Sequence, residues 1–99
     1  MEIKIQSQHF KLNDTLKEYV NNKAGKLAHL SNQITACEVN LKLDKSDKDM
    51  DKVCEIKLVL PEGNLFALNQ CETFEEATNK TVEAIEAQLR KRKTKLSHH

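Results

Sequence analysis

Two hydrophobic periods alternate along the chain. In residues 1–7, Ile3 and Ile5 alternate with polar neighbours, the two-residue period of a half-buried strand. Asn13 then offers a helix N-cap, with Asp14 in the first turn. Leu16, Tyr19, Val20, Ala24, Leu27 and Leu30 follow at spacings of three and four, which predicts an amphipathic helix over residues 14–30. Cys37, Val39, Leu41 and Leu43 alternate with Glu38, Asn40, Lys42 and Asp44, a strand with one buried face. Residues 44–51 hold no apolar side chain until Met50 and read as a solvated loop. Cys54, Ile56, Leu58 and Leu60 mark the next strand, and Pro61-Glu62-Gly63-Asn64 fits a hairpin turn. A fourth strand runs from Leu65 to about Cys71. Its faces are poorly distinguished, because Leu65 and Ala67 oppose Phe66 and Leu68.

Thr73-Phe74-Glu75-Glu76 has the form of a capping box. The threonine oxygen accepts from the Glu76 amide, and the Glu76 carboxylate returns to the Thr73 amide. Phe74, Ala77, Thr78, Thr81, Val82, Ile85 and Leu89 then form one stripe of a final helix. The order is β-α-β-β-β-α. Three consecutive late strands predict an antiparallel meander. The first strand, helix and second strand predict a right-handed crossover. Each helix has one apolar stripe to bury, most simply on the same face of the sheet. The expected fold is therefore α+β, a two-layer sandwich with a four-stranded sheet and two helices on one face. Residues 1–97 read as one domain. His98 and His99 are terminal residues, either native or the stub of a purification tag.

Composition narrows the classes of function. Of 99 residues, 31% are charged and none is Trp, so the core is thin and a deep substrate cavity is not expected. No apolar run approaches the roughly 18–20 residues that cross a bilayer. The N-terminus lacks a signal-peptide core, so a cytoplasmic location is expected. Cys37, Cys54 and Cys71 are odd in number and form no Cys-x-x-Cys pair. They read as small core or strand-end hydrophobes, not as a disulfide framework or a zinc site. His9 and His29 have no spaced partner, and the only glycines, Gly25 and Gly63, make no phosphate loop. No catalytic constellation is present, so no enzyme activity, cofactor, membrane partner or small-molecule substrate is expected.

The net charge of +1 hides a local asymmetry. Residues 88–99 carry Arg90, Lys91, Arg92, Lys93 and Lys95 with no acid, whereas residues 72–87 carry Glu72, Glu75, Glu76, Glu83 and Glu86 against Lys80. Early acids and late bases both suit the helix dipole. That accounts for one or two of the cations. The remainder repel one another unless an anionic partner is present. Arg92 falls on the same side of the helix as Phe74 and Ile85, so the helix must outrun the sheet near Leu89 or the charge must reach around its edge. Lys23 falls inside the stripe of the first helix and Lys26 on its flank; they read either as lysines that snorkel to solvent or as cations near the groove between the helices, where phosphates could lie. The few aromatics, Phe10, Tyr19, Phe66 and Phe74, mostly read as core. Shape and phosphate recognition of structured RNA is therefore favoured over stacking of single-stranded bases.

The chain also resembles the ribosome hibernation-promoting factor family, known too as ribosome-associated inhibitor or ribosomal subunit interface proteins and historically as sigma-54 modulation proteins. Met1-Glu2-Ile3-Lys4-Ile5 resembles the family's first strand. Asn13-Asp14-Thr15-Leu16-Lys17-Glu18-Tyr19-Val20, followed by Lys23 and Lys26-Leu27, resembles its first helix. Thr73-Phe74-Glu75-Glu76-Ala77 running into Gln88-Leu89-Arg90-Lys91-Arg92-Lys93-Thr94-Lys95-Leu96 resembles its second. The resemblance implies a fold arranged like double-stranded RNA-binding domains. It implies binding to the small (30S) ribosomal subunit through 16S ribosomal RNA in the channel for messenger and transfer RNA, with ribosomal proteins as further contacts. Translation inhibition under stress or in stationary phase would follow. Lys23, Lys26, Arg90, Lys91, Lys93 and Lys95 match basic positions of the pattern, and Arg92 adds a charge where histidine is common. Gln33 and Leu30-Ser31 depart from it, standing where arginine and aromatics are common. The chain resembles the short class, without the C-terminal domain that pairs ribosomes. The alternative is a protein-interaction module regulating transcription, with Glu76, Glu83 and Glu86 as its contact face.

Overall fold

A computed structural model of the chain describes residues 1–97, with side chains described through residue 92. The elements are β1 (Glu2–Gln8), α1 (Asp14–Gly25), a 3-10 turn (Lys26–His29), β2 (Ala36–Leu43), β3 (Lys52–Val59), β4 (Leu65–Cys71) and α2 (Phe74–Ser97). The sheet order is β1-β2-β3-β4. β1 runs parallel to β2, and the other two pairings are antiparallel. The βαβββα order, the four-stranded sheet and the meander all match the expectation.

The two-residue period assigns each strand one face to the helices. Ile5, Val39, Ile56 and Ala67 align in one row across all four strands. Val20, Ala24 and Leu27 from the first helical segment, with Ala77, Ile85 and Leu89 from α2, close over that side of the sheet. The seven residues of the α2 stripe expected from the sequence are all buried. Phe10 stacks on Phe74 at 4.5 Å between ring centroids, closing one end of the core. β4 resolves the ambiguity of its sequence. Pairing of Leu58 with Leu65 fixes the register, so Leu65 turns inward while Phe66 and Leu68 stay 59% and 57% exposed on the open face. Phe66 therefore departs from the core role expected of the aromatics.

The first helix also departs from expectation. It does not run as one α-helix to residue 30; it ends at Gly25 and tightens into the 3-10 turn. The Leu30 amide donates to the Leu27 carbonyl at 3.0 Å, the three-residue bond of that geometry. Glycine is a poor helix former, and the tighter turn still buries Leu27 completely.

Both expected helix caps form. Asn13 Oδ1 accepts from the Leu16 amide at 2.8 Å, and Thr73 Oγ1 accepts from the Glu76 amide at 3.1 Å. The reciprocal half of the capping box is replaced, because the Glu76 carboxylate pairs with Lys80 at 3.2 Å. Thr73→Ala is expected to cost about 1 kcal/mol, read as a lower urea midpoint at unchanged slope.

Cys37, Cys54 and Cys71 are free and buried. Burial pushes the Cys37 thiol up to about 12 and the Cys54 thiol up to about 11, so both behave as small hydrophobes. Among the described residues no His, Cys, Asp and Glu side chains gather to hold a metal ion. No helix among them is long and apolar enough to cross a membrane.

Candidate nucleic-acid interface

The helix layer positions most of the cations. Two contacts place α1 beside α2 in a parallel sense. Near the middle, the Tyr19 hydroxyl donates to Asn79 Oδ1 at 3.1 Å. Further along, Ala28, His29 and Leu30 face Leu89 and Arg92 across a cleft of about 650 Å³. Lys23 sits half-buried with its ammonium 5.5 Å from the centre of the Tyr19 ring, a cation–π contact. Its place inside the apolar stripe is thus explained by an aromatic neighbour in the groove. Lys26 opens the 3-10 turn and is exposed.

The α2 cations divide by angle. At about 100° per residue, Arg90 and Glu86 share the side of Asn79, toward α1. Arg90 is not unopposed there, because its guanidinium lies 2.5 Å from Glu86. Lys91 is exposed and lies about 100° further round, toward the β4 edge. Gln88 marks that flank by donating to the Phe66 carbonyl at 2.8 Å. Arg92 is half-buried and donates to the Gly63 carbonyl at 2.6 Å. The helix therefore outruns the core near Leu89, and Arg92 also reaches around the sheet to the β3–β4 turn. Gly63 supports that turn with a φ of 123° that disfavours any side chain. The side chains of Lys93 and Lys95 lie outside the described residues, as do His98 and His99.

Lys23, through its contact with Tyr19, and Arg90 thus lie on the sides of α1 and α2 that meet at the Tyr19–Asn79 bond, Lys26 is exposed at the start of the 3-10 turn, and Lys91 adds a charge on the far flank. Sequence reasoning missed the opposition. Glu86 is one turn before Arg90, the spacing that pairs charges on a helix, and that spacing was the available signal. The acids of the 44–51 loop serve the loop itself. Asp44 accepts from the Ser46 amide and Asp47 from the Asp49 and Met50 amides. Hydrogen bonds from Ser46 hold the Asp44 carboxyl below its ordinary value, and those from the Met50 and Asp49 amides do so for Asp47. Such a helix layer can neutralise phosphates on a structured polyanion.

The family model described as "Sigma 54 modulation protein / S30EA ribosomal protein" matches residues 3–97. No curated protein matches the chain. A ribosomal subunit interface protein from Coxiella burnetii is similar in structure, with a TM-score of 0.83 at 18% identity, covering 95% of this chain and 99% of that one. The N-terminal domain of Protein Y from Thermus thermophilus is similar at a TM-score of 0.78 and 21% identity, covering 92% of this chain and 98% of that domain. Both likenesses concern the fold.

Proposed function

The chain belongs to the sigma 54 modulation protein / S30EA ribosomal protein family, and from that premise we propose that it is a ribosome hibernation factor. It binds the small subunit through 16S ribosomal RNA, occupies the channel of messenger and transfer RNA, and inhibits translation under stress or in stationary phase. The observation that carries this reading is the family match, together with the separation of charge along the helix layer. Its acids Glu75, Glu76, Glu83 and Glu86 precede Arg90 and Lys91 in α2, and no acid follows them, while Lys23 and Lys26 end the first helical segment; the open sheet face balances Lys4, Lys42 and Lys57 against Glu2, Glu38 and Glu55. RNA is therefore met helix-first. The reading needs no catalytic group.

The alternative reading, a transcription regulator docking through Glu76, Glu83 and Glu86, draws less support. Glu76 and Glu86 are already engaged by Lys80 and Arg90. The test is co-sedimentation with purified small subunits across a salt series, with cell-free translation as the functional readout. Binding at low salt that falls steeply with rising salt is expected. Absence of binding at moderate salt, or binding without any loss of translation, counts against the reading.

A further inference from the structure

The face of the sheet away from the helices carries features that RNA binding leaves unexplained. Lys4, Glu38, Lys57 and Phe66 align in one row across the four strands, and Gln6, Asn40, Glu55 and Leu68 in the next. Between these rows lies a groove of about 250 Å³ whose lining includes Lys4, Gln6, Glu38, Asn40, Glu55, Lys57 and Phe66. None of its four charged side chains forms an ion pair among the described residues. Asn40 Oδ1 is buried beneath the groove without a hydrogen-bond partner. Such an orphaned acceptor is costly and calls for a donor. Phe66 and Leu68 are large apolar side chains more than half exposed beside it.

These features select a ligand. Asn40 Oδ1, the Glu38 and Glu55 carboxylates and the face of the Phe66 ring all favour a donor or a cation. The lysines end in flexible arms that can swing aside. The charge balance of the whole face gives a polyanion no attraction. An arginine side chain matches the groove: its planar fork bonds a carboxylate and an amide oxygen together while its face lies on an aromatic ring. The asparagine amide turns about a soft torsion, so an entering donor can draw Oδ1 outward. An apolar residue next to that arginine would cover Leu68. The groove draws its lining from all four strands, so the partner lies across the face of the sheet.

We propose that the open sheet face is a protein-docking surface that takes an arginine-bearing segment of a partner protein, its guanidinium seated between Phe66, Asn40 and Glu55. This surface lies on the opposite side of the molecule from Lys23, Lys26 and Arg90, and so one chain bridges RNA and a basic protein.

The test is a nuclear magnetic resonance titration of the full-length isotope-labelled chain. The probes are the peptide acetyl-Gly-Leu-Arg-Gly-amide, its lysine and norleucine counterparts, and guanosine monophosphate. The arginine peptide is expected to shift the amides of residues 38–40, 55–57 and 66–68, with weaker shifts from lysine and none from norleucine. Glu55→Gln and Phe66→Ser alter exposed side chains, so the fold persists, and each weakens the arginine response by roughly fivefold. Lys26→Glu/Lys91→Glu, which targets RNA binding, leaves it unchanged, so failure here is distinct from failure of the ribosome reading. Silence at these amides, or an equal response to norleucine, overturns the proposal. Stronger shifts from guanosine monophosphate overturn it as well and assign the groove to a stacked base.

Discussion

Leu27→Ala is expected to destabilise the chain by about 3 kcal/mol, within the range for truncating a buried leucine. The residue is fully buried, although it sits in a 3-10 turn of only four residues. Removing its side chain leaves a cavity between the turn and the sheet, which the surrounding core closes only in part. A domain of this size has about 5–15 kcal/mol in total, so the loss is a large share. Leu68→Ala is the control. Its side chain is 57% exposed on the open face, and its replacement is expected to stay within about 0.5 kcal/mol of the parent. Urea unfolding by circular dichroism measures both. Equal midpoints for the two variants would mean that the 3-10 turn does not carry core weight.

Periodicity made most of the fold legible, and it failed where a period carries no direction. The alternation in β2 and β3 and the stripe of α2 each named their buried face, because polar residues such as Glu38, Asn40, Lys42, Glu55 and Lys57 occupied most opposite positions. β4 offered apolar residues on both faces. Only the hairpin register, a long-range pairing of Leu58 with Leu65, decides that Phe66 and Leu68 point outward. The same limit hid the end of α1. Spacings of three and four suit α and 3-10 geometry alike over a single turn, so the change at Gly25 left the apolar pattern intact. In the candidate site, residue type and helical angle located the cations, and the aromatic partner of Lys23 needed the fold. Glu86 could have been paired with Arg90 from spacing alone, yet the count of charges in a terminal window separated them. The groove under Phe66 was not legible at all, since its seven polar and aromatic side chains come from four strands.

Lys26→Glu/Lys91→Glu is expected to weaken small-subunit binding by on the order of a hundredfold at low salt. Each exposed lysine that neutralises a phosphate contributes about one unit to the slope of log affinity against log salt, so the double reversal should flatten that slope by about two. Both side chains are exposed, so the unfolding midpoint should hold, which separates a binding loss from a folding loss. The opposite change sharpens the test. Glu86→Gln removes the carboxylate 2.5 Å from Arg90 and with it a negative charge that repels an approaching anion. A half-exposed pair of this kind is worth only about 0.2–1 kcal/mol to the fold, so stability changes little while binding tightens several-fold. Loss and gain of affinity from opposite charge changes, at constant stability, would mark the helix layer as the polyanion-binding surface. If Glu86→Gln instead weakens binding, Arg90 acts through its ion pair as a structural brace, and the cationic surface reduces to Lys23, Lys26 and the far flank.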